Sequence, residues 1–223
     1  MDREKKFLLF ILLALFAIVT GLLIWSFVYD YQTRFLAGTD PTAPQTQTPA
    51  PSLPPVRASD PVAGSVDPQA VTIVEFADFS CLYCRITQAE LSKALSVART
   101  PVRLVWRDLP LAPDRPEGLT ASLAGRCAQE QGKFWEMHDA LFSAKDLKEA
   151  TITQAARVIV PNLDAFSRCF QSGKYLQDIR DDIQLARRSH IVSTPTLFIG
   201  KEVVSGYISS AELQSIIQQQ RQP

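Results

Sequence analysis

Two cysteines separated by two residues, Cys81 and Cys84, are the part of this chain best suited to chemistry. They follow the apolar run of residues 71–76 and open the helical pattern of residues 84–98. The start of a helix presents unpaired N–H groups and a partial positive charge, which favour a thiolate over a thiol. Cys81 is therefore the candidate nucleophile, and Cys84, one turn further on, can resolve a mixed disulfide formed at Cys81. This chemistry needs no cofactor.

A zinc site and an inert disulfide are the alternatives for this pair. Zinc takes four ligands, and beyond the pair the chain offers only isolated candidates, namely Cys127, Cys169, His138 and His190. An inert bridge that closes so short a loop would constrain the unfolded chain little. We therefore expect no metal and a redox role for the pair.

Charge and length narrow the class of protein. The 223 residues carry 23 basic and 23 acidic side chains. No basic field indicates a nucleic-acid partner. The length is sufficient for one domain with a substantial core and for accessory segments.

Residues 7–29 form an apolar run without a charged side chain. As a helix this run is long enough to span a bilayer. A cleaved signal peptide, the alternative, has a shorter apolar core and a small-x-small cleavage site, which this chain lacks. Basic side chains precede the run, so the positive-inside rule places residues 1–6 in the cytoplasm and the remainder outside. We expect a single-pass anchor in the cytoplasmic membrane.

Residues 30–66 are rich in Pro, Thr and Gln and poor in large apolar side chains, which predicts an extended linker. A domain at residues 67–223 would then lie in the periplasm or an equivalent extracytoplasmic space. Four cysteines in such an oxidising compartment can form two bridges. Proximity pairs Cys81 with Cys84, which leaves Cys127 with Cys169 as a structural disulfide. Two buried free thiols are the alternative at the latter positions.

The pattern after residue 67 predicts the order β-α-β, a helical insertion at about residues 110–190, and then β-β-α. Apolar strands at 71–76 and 102–107 flank the first helix. A hairpin with strands at 196–200 and 202–206 follows the insertion, and Ser209 with Glu212 forms a capping box that opens the last helix.

This order and four parts of the sequence resemble the DsbA-like branch of the thioredoxin superfamily. The four parts are residues 75–84, residues 132–135 with His138 and residues 141–142, the position of the insertion, and residues 193–196. The resemblance implies an α/β, thioredoxin-like fold with an inserted all-helical subdomain, and a protein thiol–disulfide oxidoreductase. It implies exported proteins bearing thiols or disulfides as substrates, and a membrane redox partner of the DsbB type or an equivalent.

The resemblance also implies roles for further residues. Glu75 matches a buried acid that moves protons to and from Cys84, and burial should raise its pKa. Pro195 matches a cis-proline beside the active disulfide, where the backbone of Thr194 could pair with an extended substrate segment. Cys81, Cys84, Glu75 and Pro195 are thus the predicted catalytic set. A carboxylate that reaches water at the strand edge and an ordinary trans proline are the alternatives.

The dipeptide Leu82-Tyr83 bears on the direction of the reaction and is expected to contact substrate. It supplies no cationic or imidazole partner, so the helix terminus alone should lower the pKa of Cys81, to a value between about 8.5 and about 3.5. The leading interpretation is an enzyme that donates disulfides to exported proteins. A reductase or isomerase is the second interpretation, and a non-catalytic module that binds polypeptides is the third.

Overall fold

The structure is a computed structural model that describes residues 19–22, 24–26, 53–111 and 116–220. Most of the predicted anchor at residues 7–29 and of the predicted linker at residues 30–66 lies outside these ranges. Residues 19–22 and 24–26 are helical. Within the described residues, no helix has the length and apolar character needed to cross a membrane.

Five strands and seven helices are found between residues 62 and 219 of the described chain. The strands are β1 Val62–Gly64, β2 Val71–Ala77, β3 Val102–Asp108, β4 Thr196–Ile199 and β5 Glu202–Ser205. The helices are α1 Leu82–Val97, α2 Glu117–Gln129, α3 Phe134–Ser143, α4 Glu149–Ile159, α5 Leu163–Ser172, α6 Leu176–Arg188 and α7 Ser210–Gln219. The predicted order of elements from residue 71 onward is confirmed, including the capping box at Ser209.

The strands form one mixed sheet in the order β1-β3-β2-β4-β5. The central pair, β2 and β3, is parallel, and α1 is the crossover that connects the two strands. The other three neighbouring pairs are antiparallel, and in the β4–β5 pair this direction follows from the short hairpin that joins the strands. The helical insertion, α2 to α6, follows β3 and precedes β4.

Alternation along β2 divides its side chains between the two faces of the sheet. Ile73 belongs to the core that contains Leu91 of α1, whereas Val74 and Phe76 belong to the core that contains Ala186 of α6. Glu75 has the same parity as Ile73 and therefore points toward α1. The carboxylate of Glu75 thus lies between the sheet and α1.

Residues 53–66 differ from the expected linker because they are part of the folded domain. β1 pairs with β3, with Val62 opposite Val105, and Leu53 packs on the core of the α6 face. Asp60 is buried and forms an ion pair with Arg107 of β3 at 2.8 Å. These contacts involve residues far along the chain, so the local composition that indicated a linker did not reveal them.

A buried ion cluster joins this segment to the sheet and to the insertion. Asp182 of α6 lies 2.9 Å from Arg107 Nη1 and 2.8 Å from Arg126 Nη2, and it also pairs with Arg57. Arg126 of α2 pairs in addition with Asp108 at the end of β3. Acids and arginines from four parts of the chain therefore pair with one another, and all of them except the partly exposed Arg57 are buried.

Candidate active site

Cys81 occupies the N-cap position of α1, where its backbone is extended, with φ of −84° and ψ of 125°. Its Sγ accepts a hydrogen bond from the backbone N–H of Cys84 at 3.4 Å. Asp78 prepares this turn, because its backbone oxygen accepts from Cys81 N at 3.0 Å and its side chain accepts from Ser80 N at 2.8 Å. The sulfur therefore takes the place that a Ser or Asp oxygen takes in an ordinary N-cap.

The surroundings of Cys81 favour the thiolate. A hydrogen bond from the Cys84 thiol, opposed by partial burial, lowers the pKa of Cys81 to about 5, and the N–H groups of Cys84 and Tyr83 act in the same direction. The value lies inside the range expected from the sequence. The expectation that the helix terminus acts alone was wrong, because the neighbouring thiol is the largest contribution.

Cys84 is fully buried beneath Cys81. Its Sγ accepts from the backbone N–H of Asp78 at 3.5 Å. Burial raises the pKa of Cys84 far above the usual value for a thiol, and the nearby charges of Cys81 and Glu75 add to that rise. The two cysteines, which the structure holds as free thiols, are therefore opposite in character: an accessible nucleophile and a protonated thiol behind it.

Glu75 lies under α1 with no exposed surface, so the alternative of a strand-edge carboxylate in water is excluded. Its neighbours in the sheet are Trp106 of β3 and Leu197 of β4. Gln88 of α1 donates through Nε2 to both carboxylate oxygens at 2.7 Å. Burial raises the pKa of Glu75 to about 7, against the lowering effect of the Gln88 amide. The carboxyl can thus hold or release a proton near neutral pH.

The loop before β4 brings Thr194 and Pro195 to the cysteines. The Thr194–Pro195 peptide bond is cis, as the resemblance implied. The Thr194 carbonyl oxygen lies 3.4 Å from Cys81 Sγ and accepts from its thiol, although the two residues are 113 positions apart. Gly206 N donates to the Pro195 carbonyl at 2.7 Å, which ties the loop to the end of the β4–β5 hairpin.

Apolar side chains lie open to solvent around these residues. Leu82 and Tyr83, the predicted substrate contacts, are 64% and 60% exposed. Ile86, one turn along α1, and Val192, in the loop that leads to Thr194, are exposed as well. No sequence pattern singled out Ile86 or Val192. The position of Gln88, four residues after Cys84, was an available signal for a side chain on the same helix face.

The remaining two cysteines lie in the helical insertion. Cys127 of α2 and Cys169 of α5 are buried, and their sulfur atoms are bonded at 2.03 Å. In the part of the chain that the structure describes, no three His, Cys, Asp or Glu side chains are grouped to hold a metal ion. His138 is buried in a cage of aromatic rings that includes Phe79, Trp106 and Phe142.

Residues 59–219 match a protein-family model described as Thioredoxin. Na⁺/H⁺ antiporter NhaA 3 of Salinispora tropica is 40% identical over 131 residues, which are 58% of this chain and 20% of the antiporter. Na⁺/H⁺ antiporter NhaA 1 of Mycolicibacterium vanbaalenii is 31% identical over 143 residues, 63% of this chain and 23% of the antiporter. This chain therefore spans about a fifth of the length of the curated relatives that it matches.

Several solved structures share the fold. A thioredoxin-like oxidoreductase from Silicibacter pomeroyi is 27% identical with a TM-score of 0.65, and the match covers 74% of this chain and 94% of that protein. BdbD from Bacillus subtilis is 20% identical with a TM-score of 0.67, over 77% and 97% of the two chains. The thiol–disulfide exchange protein α-DsbA2 from Wolbachia pipientis is 21% identical with a TM-score of 0.64, over 73% and 87%. At the lower identities the likeness concerns the fold.

Proposed function

Because this chain belongs to the thioredoxin family, we propose that its folded domain is a protein thiol–disulfide oxidoreductase that works through Cys81 and Cys84. The observation that carries this proposal is the opposite character of the two thiols. Cys81 is partly exposed with its pKa lowered to about 5, and Cys84 is buried with its pKa raised. An exchange catalyst needs this arrangement, in which one sulfur meets the substrate and the other closes the cycle.

The proposed reaction begins with the Cys81–Cys84 disulfide. A substrate thiolate attacks Cys81 Sγ, so a bond forms between substrate and Cys81 while the Cys81–Cys84 bond breaks. Cys84 leaves as a thiolate and takes a proton from Glu75. A second substrate thiol loses its proton to solvent and attacks the substrate sulfur of the mixed disulfide, which releases Cys81 as a thiolate. The substrate is oxidised to a disulfide, and the enzyme is reduced to the dithiol.

We propose that the enzyme acts mainly as a disulfide donor. A thiolate stabilised at Cys81 favours the reduced form, so the oxidised form passes its disulfide readily to other proteins. Thr194 would pair with an extended substrate segment by strand addition, and the exposed Leu82 and Tyr83 would contact its apolar side chains. A membrane partner of the DsbB type or an equivalent would accept the electrons and restore the disulfide.

The proposed location is outside the cytoplasm, with residues 7–29 as an anchor in the cytoplasmic membrane. The uncharged apolar run of those residues supports the anchor. The bridge between Cys127 and Cys169 supports an oxidising compartment, since such bonds persist there and are rare in the cytoplasm.

Insulin reduction and the refolding of reduced ribonuclease test the proposal. The oxidised protein should speed disulfide formation in reduced ribonuclease, and Cys81→Ser should abolish the effect. Ser96→Ala, at an exposed position of the same helix, is the matched control and should behave as the wild type. Faster insulin reduction without ribonuclease oxidation would indicate a reductase, and recovery of scrambled ribonuclease an isomerase. Polypeptide binding without any exchange would contradict the proposal and favour the non-catalytic module.

A further inference from the structure

Gln88 is a buried polar side chain that the exchange reaction as described does not use. It follows Cys84 by four residues, so both side chains lie on the face of α1 that covers the sheet. Its surface is 9% exposed, and its Nε2 is 2.7 Å from each oxygen of Glu75. The amide therefore links the helix that carries the cysteines to the carboxylate beneath them.

The donor chemistry of this contact favours one protonation state. An ionised carboxylate accepts through both oxygens, and one N–H of the amide nitrogen, which lies 2.7 Å from each of them, can be shared between the two. A protonated carboxyl has turned one oxygen into a donor, and the amide nitrogen cannot accept from it. Protonation of Glu75 therefore removes one of the two acceptors that share this N–H, so the contact stabilises the carboxylate against the effect of burial.

The neighbours of Glu75 in the sheet do not stabilise its ionised carboxylate, whereas Gln88 does. Trp106 and Leu197, its partners on β3 and β4, carry no charge. Among the described residues, the Cys84 thiol on α1 interacts electrostatically with Glu75. His138 of α3 packs on Trp106, the neighbour of Glu75 on β3. Burial and the Gln88 hydrogen bond are the two influences on the pKa of Glu75.

Gln88 also borders solvent on its outer side. A groove of about 280 Å³ lies between α1 and α3 and is lined by Gln88 together with polar side chains that include Arg85, Ser92 and Asp139. The same side chain thus touches the open groove and the buried carboxylate.

We propose that Gln88 is a positioning residue for thiol–disulfide exchange, which holds the Glu75 carboxylate under Cys84. Gln88 also lies between Glu75 and the groove, and protons pass between Glu75 and solvent by way of this groove. This inference rests on the proposed function. When Cys84 must attack, its S–H bond breaks, an O–H bond forms at Glu75, and the electron pair stays on sulfur as the thiolate. Glu75 then releases the proton to water in the groove. No electrons are transferred in these steps.

The direct test is the pH midpoint of the Glu75 carboxyl, measured by carbon-13 NMR on the reduced full-length chain. Gln88→Met keeps the size of the side chain but removes the donor, so the midpoint should rise from about 7 by about one pH unit or more. Gln88→Glu keeps the shape of the side chain and places a second carboxyl beside Glu75. Two adjacent carboxyl groups do not both ionise readily, so this variant should also raise the midpoint, and it serves as the test if the Met variant does not fold. Ser92→Ala, on the same helix and groove, is the control and should not move it.

A shorter side chain tests the groove. Gln88→Ala removes the donor and opens the passage, so water reaches the carboxylate and the midpoint should lie below that of Gln88→Met. A midpoint in the Ala variant equal to or above that of the Met variant would overturn the solvent route. A folded Gln88→Met protein with the wild-type midpoint would overturn the positioning role.

Kinetics then separate this inference from the function on which it rests. The pH dependence of mixed-disulfide resolution by Cys84 should shift by the same amount as the NMR midpoint, and in a Glu75→Gln background Gln88→Met should add no further effect. Exchange with an unmoved midpoint contradicts the role of Gln88 alone. A moved midpoint in a wild-type protein that performs no exchange contradicts the proposed function instead.

Discussion

Cys81 and Cys84 carry the same functional group, and their surroundings make them chemically different. Cys81 accepts hydrogen bonds at the N-terminus of α1, and these bonds stabilise a negative charge on its sulfur. Cys84 is enclosed by apolar side chains, which disfavour a negative charge on its sulfur. The largest single influence on Cys81 is the thiol of Cys84 itself. Each cysteine is thus part of the environment that tunes the other.

A pair of substitutions at Cys84 tests this coupling. Cys84→Ser retains a hydroxyl donor, so the midpoint for ionisation of Cys81 should stay near 5. Cys84→Ala removes the donor and should raise the midpoint by about one pH unit or more. The thiolate absorbance in the ultraviolet, or the pH dependence of alkylation, reports both values. Equal midpoints in the two variants would show that the thiol of Cys84 does not contribute.

Glu75 should make the stability of the domain depend on pH. Its pKa is raised to about 7 in the folded state from 4.5, so the folded state holds the proton more tightly than the unfolded state. Between these two values stability falls as the pH rises, and the cost is complete above the folded pKa. Glu75→Gln removes this cost. The variant should gain about 3 kcal/mol relative to the wild type between pH 4 and pH 8.

Denaturant unfolding at a series of pH values measures that difference. Comparison of the two proteins cancels the titration of groups that they share, so the pH-dependent part belongs to Glu75. A constant difference across the range would mean that the carboxyl ionises in the folded state as it does in water.

At the level of elements, the site forms where the end of β2, the start of α1 and the loop before β4 meet. β2 positions Glu75, α1 positions both cysteines, and the loop positions Thr194 and Pro195. The insertion does not contribute a reacting group, but α3 covers the aromatic core beside the site through His138. The stability of the helical insertion depends on one covalent link and one ionic link.

The covalent link is the bridge between α2 and α5. It joins residues separated by 42 positions, and a loop of that length corresponds to about 4 kcal/mol in the chain-entropy model. We expect Cys127→Ala with Cys169→Ala to lower the free energy of unfolding by about that amount and to leave exchange at Cys81 unchanged. Either single substitution breaks the same bond and should cost nearly as much, which unfolding curves would reveal. Unchanged stability in all three variants would argue against a structural role.

The ionic link is centred on Asp182 of α6. Asp182→Asn keeps the shape of the side chain and leaves Arg107 and Arg126 without their shared partner in a site closed to water. The expected loss is about 3–5 kcal/mol of unfolding free energy. Asp181→Asn, at the adjacent position, contacts only the surface residue Gln177 among the hydrogen bonds described and should cost far less. Similar losses in the two variants would contradict a special role for the cluster.

For the whole molecule, the folded domain begins earlier than the composition indicated. Residues 53–66 add β1 to the sheet edge and contribute Arg57 and Asp60 to the ion cluster. The predicted spacer between the anchor and the domain is correspondingly shorter.

Membrane fractionation tests the proposed anchor. The full chain should stay with the membranes after an alkaline wash, because a buried apolar helix is not released by loss of protein contacts. Deletion of residues 7–29 should move the protein to the soluble fraction. Release of the full chain by the wash would contradict an anchor at these residues.

Local features of the amino-acid sequence determined much of this protein. The Cys81-x-x-Cys84 spacing at a strand-to-helix junction, the apolar strands and the Ser209 capping box each depend on neighbours within a few residues, so their structure follows from short-range geometry. These features are sufficient to predict the order of elements and the thiol chemistry.

The packing of the folded chain determines which groups far apart in the sequence meet. Gln88 donates to Glu75, and Asp182 pairs with arginines from three segments, although no local pattern links these partners. The place of Thr194 beside Cys81 was implied by the family resemblance and not by short-range geometry. Their positions depend on how the sheet, α1 and the insertion pack, because burial removes water and makes each polar group depend on a partner that the fold supplies. The same burial sets the pKa values of Cys84 and Glu75, and hence the chemistry that the two cysteines can perform.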